Sequence, residues 1–167
     1  MAGDIVCAMM ARPPDPSESG VLARLWYDGW QDAHAAIVPA TLTRARTLEN
    51  FAERMSAALA DVRVIGPRGA PLGFAMLKGD ELYQFYVASE ARGAGVAAAL
   101  MADAEAQLSA RGVETAWLAC AVGNARAAKF YQKSGWHLAR TMISRLDTTD
   151  GPFDLEIWRY EKLLVRR

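Results

Sequence analysis

Arg92-Gly93-Ala94-Gly95-Val96-Ala97 lies between a β-rich run, Glu81-Leu82-Tyr83-Gln84-Phe85-Tyr86-Val87, and a segment with Val96, Leu100, Ala104 and Leu108 at helical spacing. The glycines therefore fall where a strand hands over to the start of a helix. The first backbone N–H groups of a helix have no partner within it, and they sit at the positive end of its dipole. Gly93 and Gly95 carry no Cβ, so a bulky anion can come close to the main chain, a diphosphate being the natural guest. The same glycines could serve only to make the turn. A Walker loop needs Gly-Lys-Ser/Thr, and no lysine follows here. A dinucleotide fingerprint tolerates Ala98 at its third glycine position, but its strand should open a βαβ unit.

The strand before the glycines instead ends a meander. Val62–Ile65, a turn at Gly66-Pro67-Arg68-Gly69, a return strand over 72–77, a turn at Lys78-Gly79-Asp80 and Glu81–Val87 read as three antiparallel strands. Upstream, a strand is expected over 5–10. A first helix enters at Asp15-Pro16-Ser17-Glu18, runs through Leu22, Leu25 and Trp26, and is broken by Ile37-Val38-Pro39. A second is expected from Thr47 as its cap, through Phe51 and Met55. Downstream, the helix from Val96 closes at Arg111-Gly112, and a buried strand over 114–122 follows a helical crossover, which predicts parallel pairing. Asn124 opens another helix, stopped by Gly135. Strands over 137–143 and 155–163 flank a loop, Thr148-Thr149-Asp150-Gly151-Pro152.

The 167 residues suit one ordinary domain, and 52% hydrophobic with 23% charged residues is a globular composition. Nineteen basic residues balance nineteen acidic ones, so the basic excess of a nucleic-acid or polybasic membrane binder is missing. No run approaches the ~18 apolar residues of a membrane span. The start of the chain has an acid where an export signal wants basic residues. Two cysteines, Cys7 and Cys120, make neither a disulfide framework nor a zinc site, and no metal spacing is visible. A cytoplasmic protein with no metal, nucleic-acid or membrane partner is expected.

Arg92, Gly95 and Ala97 match in register the Gln/Arg-x-x-Gly-x-Gly/Ala signature of the GNAT superfamily of acyl-CoA-dependent N-acetyltransferases, which this sequence resembles. Asn124-Ala125-Arg126-Ala127-Ala128-Lys129-Phe130-Tyr131-Gln132-Lys133-Ser134-Gly135-Trp136 is similar to that family's Asn-x-x-Ala-x-x-Phe-Tyr-x-x-x-Gly-Phe block, with Trp136 for the usual Phe. Ser89 stands where proline is common. The resemblance implies an α+β, three-layer architecture in one N-acetyltransferase domain over 1–167. Its mixed, mostly antiparallel sheet of about seven strands would splay between the fourth and fifth, with about four helices flanking. It also implies acetyl-CoA as co-substrate, its pantetheine along Phe85, Tyr86 and Val87 and its diphosphate on Arg92, Gly93, Ala94, Gly95, Val96 and Ala97. Asn124 would anchor the pantetheine arm or the neighbouring bulge. Arg126 and Lys129 would meet the remaining phosphate, unless they are merely solvated charges.

The resemblance further implies acetyl transfer to a primary amine, either a small molecule or a protein N-terminus, by direct attack. An alkylammonium of pKa near 10.4 resists deprotonation at neutral pH by about 4–5 kcal/mol, so a base or water chain must help. Glu81 stands in the register where some members carry that base. Tyr131 stands where the family places a tyrosine aimed at the coenzyme sulfur, and a phenol can protonate a departing thiolate. A backbone N–H near Val87 would stabilise the oxyanion. Trp30-Gln31-Asp32-Ala33-His34-Ala35-Ala36-Ile37-Val38-Pro39 resembles a family segment lining the acceptor pocket, with His34 in place of a tyrosine. Trp30 and His34 are therefore substrate-site candidates. Cys120 reads as core and His137 as structural. Edge strands near the C-terminus could support a homodimer. A non-catalytic acyl-CoA-binding domain of the same fold is the competing reading.

Overall fold

Helix caps and glycine turns divide the chain much as the periodicity requires. The computed structural model describes residues 9–164. Asp15 and Glu18 form a reciprocal capping box ahead of α1 (Ser19–His34), and Glu18 is itself buried against Arg12 at 2.8 Å. After the break at Pro39 comes a short α2 (Ala40–Ala45), which the sequence pattern did not reveal because six residues offer too little periodicity. The Thr47 side chain accepts from Asn50 N and caps α3 (Leu48–Ala58) as expected.

Strands β1 (Val62–Ile65), β2 (Gly73–Lys78) and β3 (Glu81–Val87) form the predicted meander. Then come α4 (Val96–Ala110), β4 (Thr115–Ala121) and α5 (Ala125–Lys133), the last capped by Asn124. β5 (His137–Thr148) and β6 (Gly151–Leu163) finish the chain. The sheet order is β1-β2-β3-β4-β6-β5, six strands among the described residues. The expected first strand over 5–10 falls mostly outside them, and residues 9 and 10 are turn and bend. Just beyond, Arg12 pairs with Val64 in an isolated antiparallel bridge.

One departure concerns the C-terminal loop. β5 and β6 stay paired up to Thr148↔Gly151, so the expected loop is a tight hairpin tip, closed by the Thr148 hydroxyl donating to Gly151 O at 2.6 Å. Leu146, Phe153 and Leu155 face inward along this arm and pack against the helical layer. Buried Arg46 pins the same arm, donating to Asp147 O at 3.0 Å.

β3 and β4 run parallel but pair only at Glu81↔Trp117, so the sheet opens as a V toward Val87 and Ala121. This is the splay implied by the sequence, at the same pair of strands. In β3 the register with β2 slips between Met76↔Gln84 and Leu77↔Leu82, leaving Tyr83 bulged. The bulge sends Leu82 and Phe85 to one face and Tyr83 and Tyr86 to the other. On the first face, α4 and α5 cover both halves of the sheet with one apolar cluster, including Leu100, Leu118, Tyr131, Trp136 and Tyr160. On the second, α1 and α3 cover the β1–β3 half, around Trp26, Phe51, Phe74 and Met76, with the β5–β6 arm packed against their side.

Candidate active site

The V is filled by a cavity of about 420 Å³. Its floor on the β3 side is Leu82 to Val87 and on the β4 side Ala119, Cys120 and Ala121. One end is the glycine segment, with Arg92, Gly93, Gly95, Ala97 and Ala98 on the wall. α5 contributes Arg126, Ala127, Phe130 and Tyr131, with its cap Asn124, and α1 contributes Gly29, Ala33 and His34.

The glycine end has a geometry that fits an anion. Gly93 and Gly95 have φ of 80° and 81°, the left-handed region that side chains disfavour. Space beside Gly93 is open within 4 Å of where a Cβ would stand. The first intrahelical bond of α4 is Ala99 N to Gly95 O, so the N–H groups of Val96, Ala97 and Ala98 precede the ladder. These features fit a diphosphate. Arg92 and Arg126 both donate to Asp32 on α1, at 3.0 and 2.9 Å. The two guanidiniums hold that carboxyl below the usual carboxylate range, Arg126 first. Asp32 was not anticipated; its partners lie 60 and 94 residues away, beyond the reach of any local pattern. Lys129 is exposed and does not line the cavity.

Deeper in, Phe85 and Phe130 stack across the V, ring centroids 5.5 Å apart. Tyr131 follows on the same helix, nine-tenths buried, and burial pushes its phenol far above the ordinary value. It therefore stays protonated at neutral pH. Cys120 is likewise held as a thiol, pushed up to about 12 by burial. Asn124 spends its side-chain oxygen on the cap, accepting from Ala127 N at 3.4 Å.

Trp30 and Glu81, like Lys129, fall elsewhere. Trp30 is buried in the helical layer and stacks beneath His34 at 5.1 Å without lining the cavity. Glu81 sits at the closed end of the V beside Trp117 and does not line the cavity either. Burial, with Asp80 adding to it, raises Glu81 to about 7 against the opposing pull of Lys78 and Arg159. Among the described residues no cluster of His, Cys, Asp or Glu could hold a metal, and no helix is long and apolar enough to cross a membrane.

A sheet split between two parallel strands, with a glycine-rich helix start at one end of the split, fits the class of acetyltransferases. The chain belongs to the acetyltransferase (GNAT) family, whose model matches residues 22–136. Among solved structures, a GCN5-related N-acetyltransferase from Rhodopseudomonas palustris aligns with a TM-score of 0.72 at 23% identity, over 92% of this chain and 94% of that one. The PaiA N-acetyltransferase of Thermoplasma acidophilum, solved with coenzyme A, gives 0.69 at 17% identity over 92% and 97%. A ribosomal-protein-alanine N-acetyltransferase from Brucella melitensis gives 0.66 at 19% over 93% and 99%. No curated protein matches the chain.

Proposed function

We propose that this protein transfers an acetyl group from acetyl-CoA to a primary amine, a small molecule or a protein N-terminus, by direct attack. The observation that carries this reading is the continuity of one cavity from the glycine cradle to the Tyr131 side chain. Backbone N–H groups from Gly93 to Ala98 would hold the diphosphate. Arg92 and Arg126 already converge on the Asp32 carboxylate and would take phosphate oxygens in its place. The free edge of β3 at Phe85 to Val87 would pair with the pantetheine amides. When bound, acetyl-CoA supplies an activated thioester.

Tyr131 acts as the acid. Its proton is secure at neutral pH and lies in the cavity where a thiolate must be neutralised. A backbone N–H near Val87 receives the developing oxyanion. Cys120 lines the same cavity, but as a thiol it is a poor nucleophile, which favours attack by the amine itself over a thioester on the enzyme.

The test is release of free coenzyme A thiol across a panel of small amines and short peptides. Tyr131→Phe is expected to cut the chemical step by about 10²–10⁴-fold while leaving the affinity for coenzyme A nearly unchanged. Coenzyme A binding without thiol release on any amine would assign the chain to acyl-CoA binding without catalysis.

A further inference from the structure

His34 is the one cavity-lining side chain whose ring nitrogens are distinguished by the fold itself. Its Nδ1 lies 3.1 Å from Trp30 O. A carbonyl oxygen only accepts, so Nδ1 carries the proton and, in the neutral ring, Nε2 keeps its lone pair. The ring is stacked on Trp30, which is itself packed 6.1 Å from Phe51, so its orientation is fixed from below. The helix end is closed by Ile37 N and Val38 N, which donate to the His34 main-chain O at 2.9 and 3.0 Å. Ile37 then leans on Gly123, where a Cβ would stand 3.4 Å from it, and this closes the end of α1 over the loop after β4.

Building on the acetyl-transfer reading above, we propose that His34 is the catalytic base, its Nε2 taking the proton of the attacking amine from the α1 side of the cleft, opposite Tyr131. As the nitrogen bonds to the thioester carbonyl carbon its remaining N–H becomes acidic, and Nε2 receives that proton. The C–S bond breaks with its electron pair on sulfur, and the Tyr131 hydroxyl proton goes to that sulfur. The imidazolium proton then restores the Tyr131 hydroxyl through cavity water. Amide and thiol leave, and both side chains end as they began.

The charged and titratable neighbours leave His34 as the cavity group free to take up a proton. On its own helix Asp32 is turned to Arg92 and Arg126 and held ionised. Lining the same cavity, Tyr86 on β3, Cys120 on β4 and Tyr131 on α5 are all pushed upward by burial and stay protonated. Burial lowers His34 below its ordinary 6.5, which keeps it neutral, with a lone pair to accept a proton, at pH 7. Glu81 also titrates near neutrality but lies outside the cavity.

The proposal is tested by nitrogen NMR on histidine-labelled protein together with the pH dependence of thiol release, using the best amine of the panel. The expected spectrum shows His34 protonated at Nδ1 and bare at Nε2 at pH 7, titrating below 6.5, with His34→Gln identifying its signals. The expected kinetics show kcat/KM falling on the acid side of that titration. His34→Gln is expected to abolish the acid limb and lower kcat/KM about 100-fold, with the thermal shift induced by coenzyme A retained. A His34 protonated at Nε2, or an acid limb that survives His34→Gln and vanishes in Glu81→Gln, would overturn the assignment while leaving acetyl transfer intact. Absence of thiol release by the unaltered protein with every amine would overturn acetyl transfer and the base together.

Discussion

Glu81 shows how a single carboxyl can be shaped by burial without belonging to the cleft. It begins β3 at the closed end of the V, and removal from water raises it to about 7. In the unfolded chain the same group titrates near 4.5. Between those values the folded protein holds a proton that the unfolded chain releases, so stability falls as pH rises through this window and is flat above it. The shift taken whole would be worth roughly 3 kcal/mol; partial exposure reduces this to about 1–2 kcal/mol. Glu81→Gln removes the charge but keeps the shape. It should therefore stabilise the protein by about that amount at pH 8 and change little at pH 4.5, read by denaturant unfolding at the two values. An equal effect at both would mean that Glu81 ionises normally. His34 has the opposite sign. Its lowered pKa means that the unfolded chain binds the proton more readily, so its contribution to stability is lost as pH falls below about 6.5.

The elements that position the site owe their placement to a few close approaches, and α1 supplies the sharpest. A Cβ on Gly29 would stand 2.6 Å from Cδ1 of Tyr86, a ring that is stacked on Phe74 and walls the cavity. Alanine in place of a mid-helix glycine is worth about 1 kcal/mol in propensity. Overpacking against a buried ring costs about 1–3 kcal/mol, so the clash should win. Gly29→Ala is expected to lower Tm, with a net loss of up to about 2 kcal/mol. It should also weaken turnover, because α1 must lift with His34 on it; a gain in Tm would mean that Tyr86 yields freely. The helices and the meander were legible because their apolar residues repeat at 3.6 or 2 and their ends carry Thr47, Asn124 and glycine turns. α2 and the paired hairpin tip were not, since one is too short for periodicity and the other alternates with few buried residues. Among the residues lining the cavity, Tyr131, the glycine segment and His34 were singled out by local motif register. Asp32 and the distance of Glu81 from the cleft could not, because both depend on which strands the V holds apart.

At the scale of the whole molecule the two halves of the sheet are held unequally. One apolar cluster under α4 and α5 spans both, while between β3 and β4 themselves only the Glu81↔Trp117 end is joined. The open ends at Phe85–Val87 and Ala119–Ala121 are where strand partners are missing, and the proposed pantetheine site lies between them. A ligand seated there contacts both halves and so adds the link that the sheet lacks. Coenzyme A at a hundred times its dissociation constant should add about 2.7 kcal/mol, or roughly 5–11 °C in Tm for a chain of this size. The gain should also be located. Amide hydrogen exchange should slow most along the facing edges of β3 and β4 and at the start of α4, and least in the β5–β6 hairpin, which the cavity does not touch. A rise in Tm with uniform slowing would place the ligand elsewhere, because only a molecule bridging the V protects both edges together.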